Sequence, residues 1–585
     1  MIPVAFEGCA GWLYLPKGRV PLGRGVVLCD AFGYEALCSQ RALALLAGML
    51  AEAGLPVLRF HYAGTGDSAG AETPGQIDRW IASIDAAADW LRQTTGVREI
   101  ALCGFRLGAA LAVEAARRRG DVALLGLLAP ILSGRRYARE LTLAAALHGP
   151  AGDSEWLEIQ GYPLHRTDLA RLREFEPRLG AGAAPRILLL AIEQPAGPVG
   201  DGVEIRLFLE LGGLVQETEA VTYPLAAFRV LVERCGSGAP AGRPVAVPSG
   251  AVLPLDGDRI ERPIRFGAGE SCFGVLCRPA RLTQSSGVLI LNTGLNHHTG
   301  NGRGGVRLAR RLAARGIASL RIDAAGIGEN WPIDPAAPVG FHDLRRIVEL
   351  RAALGVLQGE GCTEIVLSGI CAGAYLGLHA AAVDQRITAA VLVNLPYFHV
   401  EEEDPAVPLW RRRLHPRYWR PLGAAPGQAY GPGRRRPGYR RLERFVSWLL
   451  GLPVAPEPLG GVRCLHLLRL WLGQHLLQPL RRLLPQTPLS MPDRLLHAAW
   501  RRGTKLVLAY SARDPGLFEL AACFGPDGRR LDRLGWARRT MIEAADHVMT
   551  SAAMQARHAA LVEAELGLAP IVEPMKNPAG SLRRG

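Results

Sequence analysis

Two stretches of the chain carry the same frame: IALCGFRLGAALAVEAA at 100–116 and IVLSGICAGAYLGLHAA at 365–381. In each, glycines stand two positions either side of a central residue, Arg106 in the first and Cys371 in the second. The match runs well beyond these frames. Gly54, Arg59, Gly64 and Gly66 recur 262 positions on as Gly316, Arg321, Gly326 and Gly328, while Gly104 and Gly108 recur 265 on as Gly369 and Gly373. So little drift marks a long repeat, not a chance motif. A chain of 585 residues is also too long for a single ordinary core.

Each copy alternates short apolar runs with longer helical ones. In the second copy the reading is strand 288–292, helix 304–315, strand 317–322, helix 342–357, strand 364–368 and helix 372–383. Strand–helix alternation with short connections predicts an α/β fold with mostly parallel, doubly wound sheets, one per copy. The first copy is expected over 1–235, a Gly/Pro-rich linker over 236–258, the second copy over 259–568 and a loose tail over 569–585. After the apolar run AAVLVNL the second copy is longer, with an insertion at about 398–500. Arginine clusters interleaved with Trp and Tyr, then a basic amphipathic run, suggest a helical lid over the strand ends, where ligands bind such sheets.

The formal charge is +14, from 68 basic and 54 acidic residues, so the surface favours anions. No zinc-finger spacing, RNA-binding signature or basic zipper points to nucleic acid. The start of the chain lacks a secretory signal, and no uncharged apolar run reaches the ~18 residues that span a bilayer. Eleven cysteines are scattered singly without CxxC pairs, which reads as reduced thiols in a cytoplasmic protein. The basic insertion adds the expectation of peripheral contact with a membrane surface.

Gly-x-nucleophile-x-Gly between a strand and a helix is the layout of a nucleophile elbow. The sharp turn strains the central residue, leaves no room for side chains two positions away, and sets the nucleophile on a helix N-terminus. Cys371 between Gly369 and Gly373 is therefore the candidate nucleophile. A base and an orienting acid should follow in the order nucleophile, acid, histidine. Asp514 ends the apolar run TKLVLAYSARD, and His547 lies 33 residues later in MIEAADHVMT. Asp546, beside His547, is the rival acid. The backbone N–H of Ala372, with that of Gly294 or Leu295 in the loop NTGLNHHTGNG, would make an oxyanion hole. His297 and His298 in that loop are read as pocket-lining or metal-binding at best, and no metal or cofactor is expected.

These residues carry a resemblance. Both copies resemble the α/β-hydrolase superfamily, in particular its serine-aminopeptidase-like branch, whose turn after the fourth strand looks like Gly64-Thr65-Gly66-Asp67-Ser68. The second copy is similar to the exosortase-A-associated hydrolases, on its elbow cysteine and the stretch TGNGRGGVRLARRLAARGI. The resemblance implies acyl-ester or acyl-thioester chemistry.

The first copy breaks the pattern. Arg106 stays protonated and cannot attack a carbonyl. No histidine occurs from 166 to 296, and the run RILLLAIEQP offers Glu193 where the second copy has an aspartate. This half is expected to be non-catalytic. Arg106 either grips an anionic ligand or pairs internally with Asp30 or Glu35. The leading functional expectation is a hydrolase or acyltransferase working through a Cys371 thioester on a small-molecule or carrier-bound acyl substrate. Alternatives are a polymerising acyltransferase that resembles the polyhydroxyalkanoate synthases, which share a Gly-x-Cys-x-Gly elbow, and a non-catalytic binding scaffold.

Overall fold

The computed structural model describes residues 1–569 except 331–341, 401–443, 448, 451–460, 473–489 and short pieces at 19, 148–153, 181, 196–198, 201, 219, 244, 246–247 and 249. The expected tail and most of the expected lid lie outside the described residues.

Two large sheets organise the chain. The first joins β1 (Ile2–Phe6), β2 (Cys9–Tyr14), β3 (Arg24–Cys29), β4 (Val57–Phe60), β5 (Glu99–Phe105), β6 (Val122–Leu128), β9 (Ile187–Ala191) and β10 (Val203–Leu207) in the order β1-β2-β4-β3-β5-β6-β9-β10. A small hairpin, β7 (Trp156–Ile159) and β8 (Tyr162–His165), stands apart from it.

The second sheet joins β11 (Leu253–Leu255), β12 (Arg259–Phe266), β13 (Cys272–Pro279), β14 (Ser286–Ile290), β15 (Ala318–Asp323), β16 (Glu364–Ile370), β17 (Ile387–Val393), β18 (Lys505–Ser511) and β19 (Arg538–Ile542). Its order, β11-β12-β13-β15-β14-β16-β17-β18-β19, repeats that of the first sheet with one extra edge strand. In both, antiparallel strands form one edge and the rest run parallel.

The central strands are continuous apolar runs because helices cover both their faces. Ile100, Leu102, Cys103 and Phe105 of β5 are fully buried, as are Ile365 and Leu367 of β16. The helix Gly304–Ala313 shows the logic on the outside. Val306, Ala309 and Leu312 repeat every three residues and face the sheet.

Two boundaries differ from the sequence reading. The start of the 236–258 linker is bound to the first half: Arg24 donates to the carbonyls of Cys235, Ser237 and Gly238, and Gly23 N–H to that of Pro240. Its end already forms β11. The expected 398–500 insertion is also too long at its C-terminal end. Helix Met491–Arg501 is a sheet-covering crossover whose Leu495, Leu496 and Ala499 join the core with Leu506 and Leu508. Within the insertion, helix Gly461–Leu472 packs Cys464 and Leu467 against Phe518, Ala521 and Ala522 of helix Gly516–Phe524.

Candidate functional site

Cys371 sits in the turn between β16 and helix Ala372–Ala381 with φ 55° and ψ −116°. Arg106 adopts the same strained conformation, φ 52° and ψ −118°, between β5 and helix Leu107–Arg119. Both elbows are pinned alike: Cys371 N–H donates to Val393 O (2.9 Å) and Arg106 N–H to Leu128 O (3.1 Å). The glycines are required by space. A Cβ on Gly369 would lie 2.4 Å from Gly373 O, and one on Gly373 would lie 2.6 Å from Asn292 O.

The structure brings Cys371, His547 and Asp514 together. His547 Nδ1 donates to Asp514 Oδ2 at 2.5 Å, and Asp514 is buried at the end of β18. Burial disfavours the charged ring, but its hydrogen bonds to Asp514 and Cys371 outweigh this and lift the His547 pKa to about 10. Asp546 has another task. Its Oδ1 accepts the N–H groups of Val548 and Thr550, closing the loop behind His547.

Asn394 is the residue that sequence reasoning missed. Fully buried just beyond β17, with φ 51°, it donates from Nδ2 to Ser511 Oγ (2.9 Å), Asp546 O (3.1 Å) and His547 O (2.8 Å). Its Oδ1 accepts from Ser511 N–H (2.8 Å). One side chain thus ties the strand bearing Asp514 to the loop bearing His547. The repeat held a signal: the first half has Ala129 at the equivalent place, also at positive φ (43°), with no amide to offer.

Ala372 opens its helix, so its N–H belongs to the N-terminal set with no partner inside the helix. Gly294 and Ala372 share the wall of a small, mostly apolar pocket with Ile327, Leu350 and Leu376; it encloses about 260 Å³ including its mouth. Leu295 is buried in a separate small cluster with Ala324 and Ile327.

His297 and His298 are both buried among carboxylates. His298 Nδ1 meets Asp323 Oδ2 at 2.6 Å and Nε2 meets Asp67 Oδ2 at 2.8 Å. Burial opposes its charge, but the two carboxylates win and raise its pKa to about 10. Asp67, His297 and His298 bring ligand atoms close enough together to hold a metal ion, with both ring nitrogens of His298 already facing carboxylates. His297 instead meets Glu329 Oε1 at 3.2 Å and Thr299 Oγ1 at 3.1 Å.

Arg106 makes the internal pairing that the sequence offered as the alternative to anion binding. Its Nε donates to Glu35 Oε1 (2.9 Å), a second guanidinium nitrogen lies 2.8 Å from the same oxygen and 3.5 Å from Glu140, and the group stands over the Tyr137 ring.

No family model and no curated protein matches the chain. Among solved structures, it is similar to an α/β serine hydrolase without a lid from Xanthomonas campestris (24% identity, 22% of this chain, TM-score 0.21), of which it spans 61%. It is also similar to Est1E from Butyrivibrio proteoclasticus, solved with ferulic acid (17% identity, 40% of this chain and 98% of that one, TM-score 0.31). A thioesterase domain from the curacin biosynthetic pathway matches at 15% identity over 52% of this chain and 99% of that one, with TM-score 0.28. The chemistry of the site therefore rests on its own geometry.

Proposed function

We propose that the second half is an acyl ester or thioester hydrolase, or an acyltransferase, that works through a thioester on Cys371. The observation that carries this reading is the 2.5 Å contact of His547 with a buried Asp514, on a ring that also bonds Cys371 at a strained elbow. The Cys371 sulfur attacks the acyl carbonyl carbon while its proton resides on His547. The carbonyl oxygen, now negative, is met by the N–H groups of Ala372 and of Gly294 or Leu295. Collapse expels the alcohol or thiol, which takes the proton from His547. Water or a second acceptor, deprotonated by His547, then releases the acyl group and restores the sulfur. The small pocket beside Gly294 and Ala372 favours a short acyl chain.

The test is turnover of p-nitrophenyl acetate with mass spectrometry of the trapped enzyme. Wild type should turn over and gain one acetyl group on Cys371. Cys371→Ala should lose both with unchanged melting temperature, and His547→Ala should lose both and melt lower, because it leaves the buried Asp514 without its partner. Activity surviving in His547→Ala would sink the assignment.

A further inference from the structure

A large cleft lies mainly in the first half, over the carboxyl ends of β3 and β4 and beside Leu107, where helix Leu107–Arg119 begins, with Thr299 and Arg303 of the second half also in its wall. It encloses about 710 Å³ including its mouth. This is the position that the catalytic cleft holds in the second half, yet Arg106 is not among its lining residues. Its walls are aromatic: Phe32, Tyr62, Trp80 and Tyr162 all face it, with Tyr62 stacked on Trp80 at 5.8 Å and Phe32 at 5.4 Å from the same ring.

Two of its buried polar side chains lack partners. Gln76 is 4% exposed and its Oε1 has no hydrogen-bond partner; Trp80 is 1% exposed and neither has its Nε1. A buried polar atom without a partner is costly, and two in one cleft are groups that a bound ligand would satisfy. Asp30, also lining the cleft, is 5% exposed and accepts the N–H of Ala31.

The cation in its wall is already committed: Arg303 directs its three guanidinium nitrogens to the carbonyls of Gly64, Gly66 and Ser68 and lies 3.5 Å from Glu72, while burial pushes the Asp30 carboxyl up to about 7. The buried side-chain atoms in its wall without a partner are thus one acceptor and one donor, beside a carboxyl able to act as either and flat apolar rings.

We propose that this cleft binds a small uncharged ring compound bearing hydroxyl groups, its flat face on Trp80 and Tyr162 and its hydroxyls on Gln76, Trp80 and Asp30. Two sources share that chemistry, a phenol and a simple sugar, and the arms of the test separate them. Full-length Cys371→Ala protein, chosen so that nothing is turned over, is titrated with phenol and with methyl glucoside by calorimetry. Saturable binding of one probe is expected. Gln76→Met keeps the volume and Trp80→Phe keeps an aromatic wall, both remove the unpartnered atoms, and each should weaken binding at least tenfold. Tyr162→Leu, on the hairpin outside the sheet, should do likewise without disturbing the core. His547→Ala should bind as well as its parent. Loss of binding in His547→Ala with none in the other three would place the probe in the wrong half and overturn the proposal. No saturable binding of either probe would overturn it too.

Discussion

In the proposed triad Asp514 holds the ring of His547, and Asn394 holds the backbone that carries it. Replacing Asn394 with alanine removes three donated hydrogen bonds and leaves the carbonyls of Asp546 and His547 without this donor. We expect Asn394→Ala to lower kcat on p-nitrophenyl acetate by about tenfold to a hundredfold, with KM little changed, because small misplacements of a catalytic group carry penalties of that order. The backbone supplies a control. At φ 51° glycine is the easier substitute, so Asn394→Gly should melt above Asn394→Ala yet be no more active. Recovery of kcat in the glycine variant would make Asn394 a matter of backbone strain alone. Cys371, Asp514 and His547 were legible because each stands in a local signal, an elbow or a strand end followed by a loop. Asn394 was not, since its work depends on two strands and a loop distant in sequence meeting at one point.

The elbows test the same logic at the scale of the element. A Cβ on Gly373 meets Asn292 O at 2.6 Å, at the start of the loop that carries Gly294. A Cβ on Gly108 meets Asp30 O at 2.1 Å, the equivalent contact in the first half. Both are backbone contacts, so the loop must move or the helix must lift. Gly373→Ala should therefore lower melting temperature and cut esterase activity at least tenfold. Gly108→Ala should lower melting temperature as much and leave activity near wild type. Equal losses of activity from both would tie the first cleft directly to catalysis. The order of strands and helices was readable from apolar periodicity, which reports burial. The end of the insertion was misread because helix Met491–Arg501 is apolar on one face like the basic run before it, and only its packing on Leu506 and Leu508 assigns it to the sheet. No helix among the described residues is long and apolar enough to cross a membrane.

At the scale of the molecule the repeat does something the sequence could not disclose: its equivalent charges are exchanged between the halves. Arg59 pairs with Glu329, and Arg321 pairs with Asp67 at 2.9 Å, although Asp67 and Glu329 stand at matching places in their own copies. Each arginine reaches the other half's acid, as residues do across a two-fold interface. His298 joins the halves again by bridging Asp67 and Asp323.

These groups are buried, so the interface should respond to pH with a definite sign. Asp67, Asp323 and Glu329 are held below the ordinary carboxylate range against the pull of burial, Asp67 and Asp323 chiefly by His298 and Glu329 by Arg59. Their contribution is complete above that range and is lost as pH falls beneath it. His298 has the opposite sign. Its pKa rises from 6.5 to about 10, so its contribution is complete below pH 6.5 and fades as pH climbs through 10. His298→Gln keeps much of the shape but not the charge. At pH 6 it should melt well below wild type, because breaking a buried ion pair costs about 3–5 kcal/mol. As pH rises from 6.5 to 10 the unfolded chain gives up the proton that folded wild type still holds, so the contribution shrinks and the gap between the two melting temperatures should close. His547 is also lifted to about 10, but it is present in both proteins and cancels from the difference. A gap that stays constant across that range would mean that His298 is neutral, and that Asp67 and Asp323 are held by Arg321 and the backbone instead.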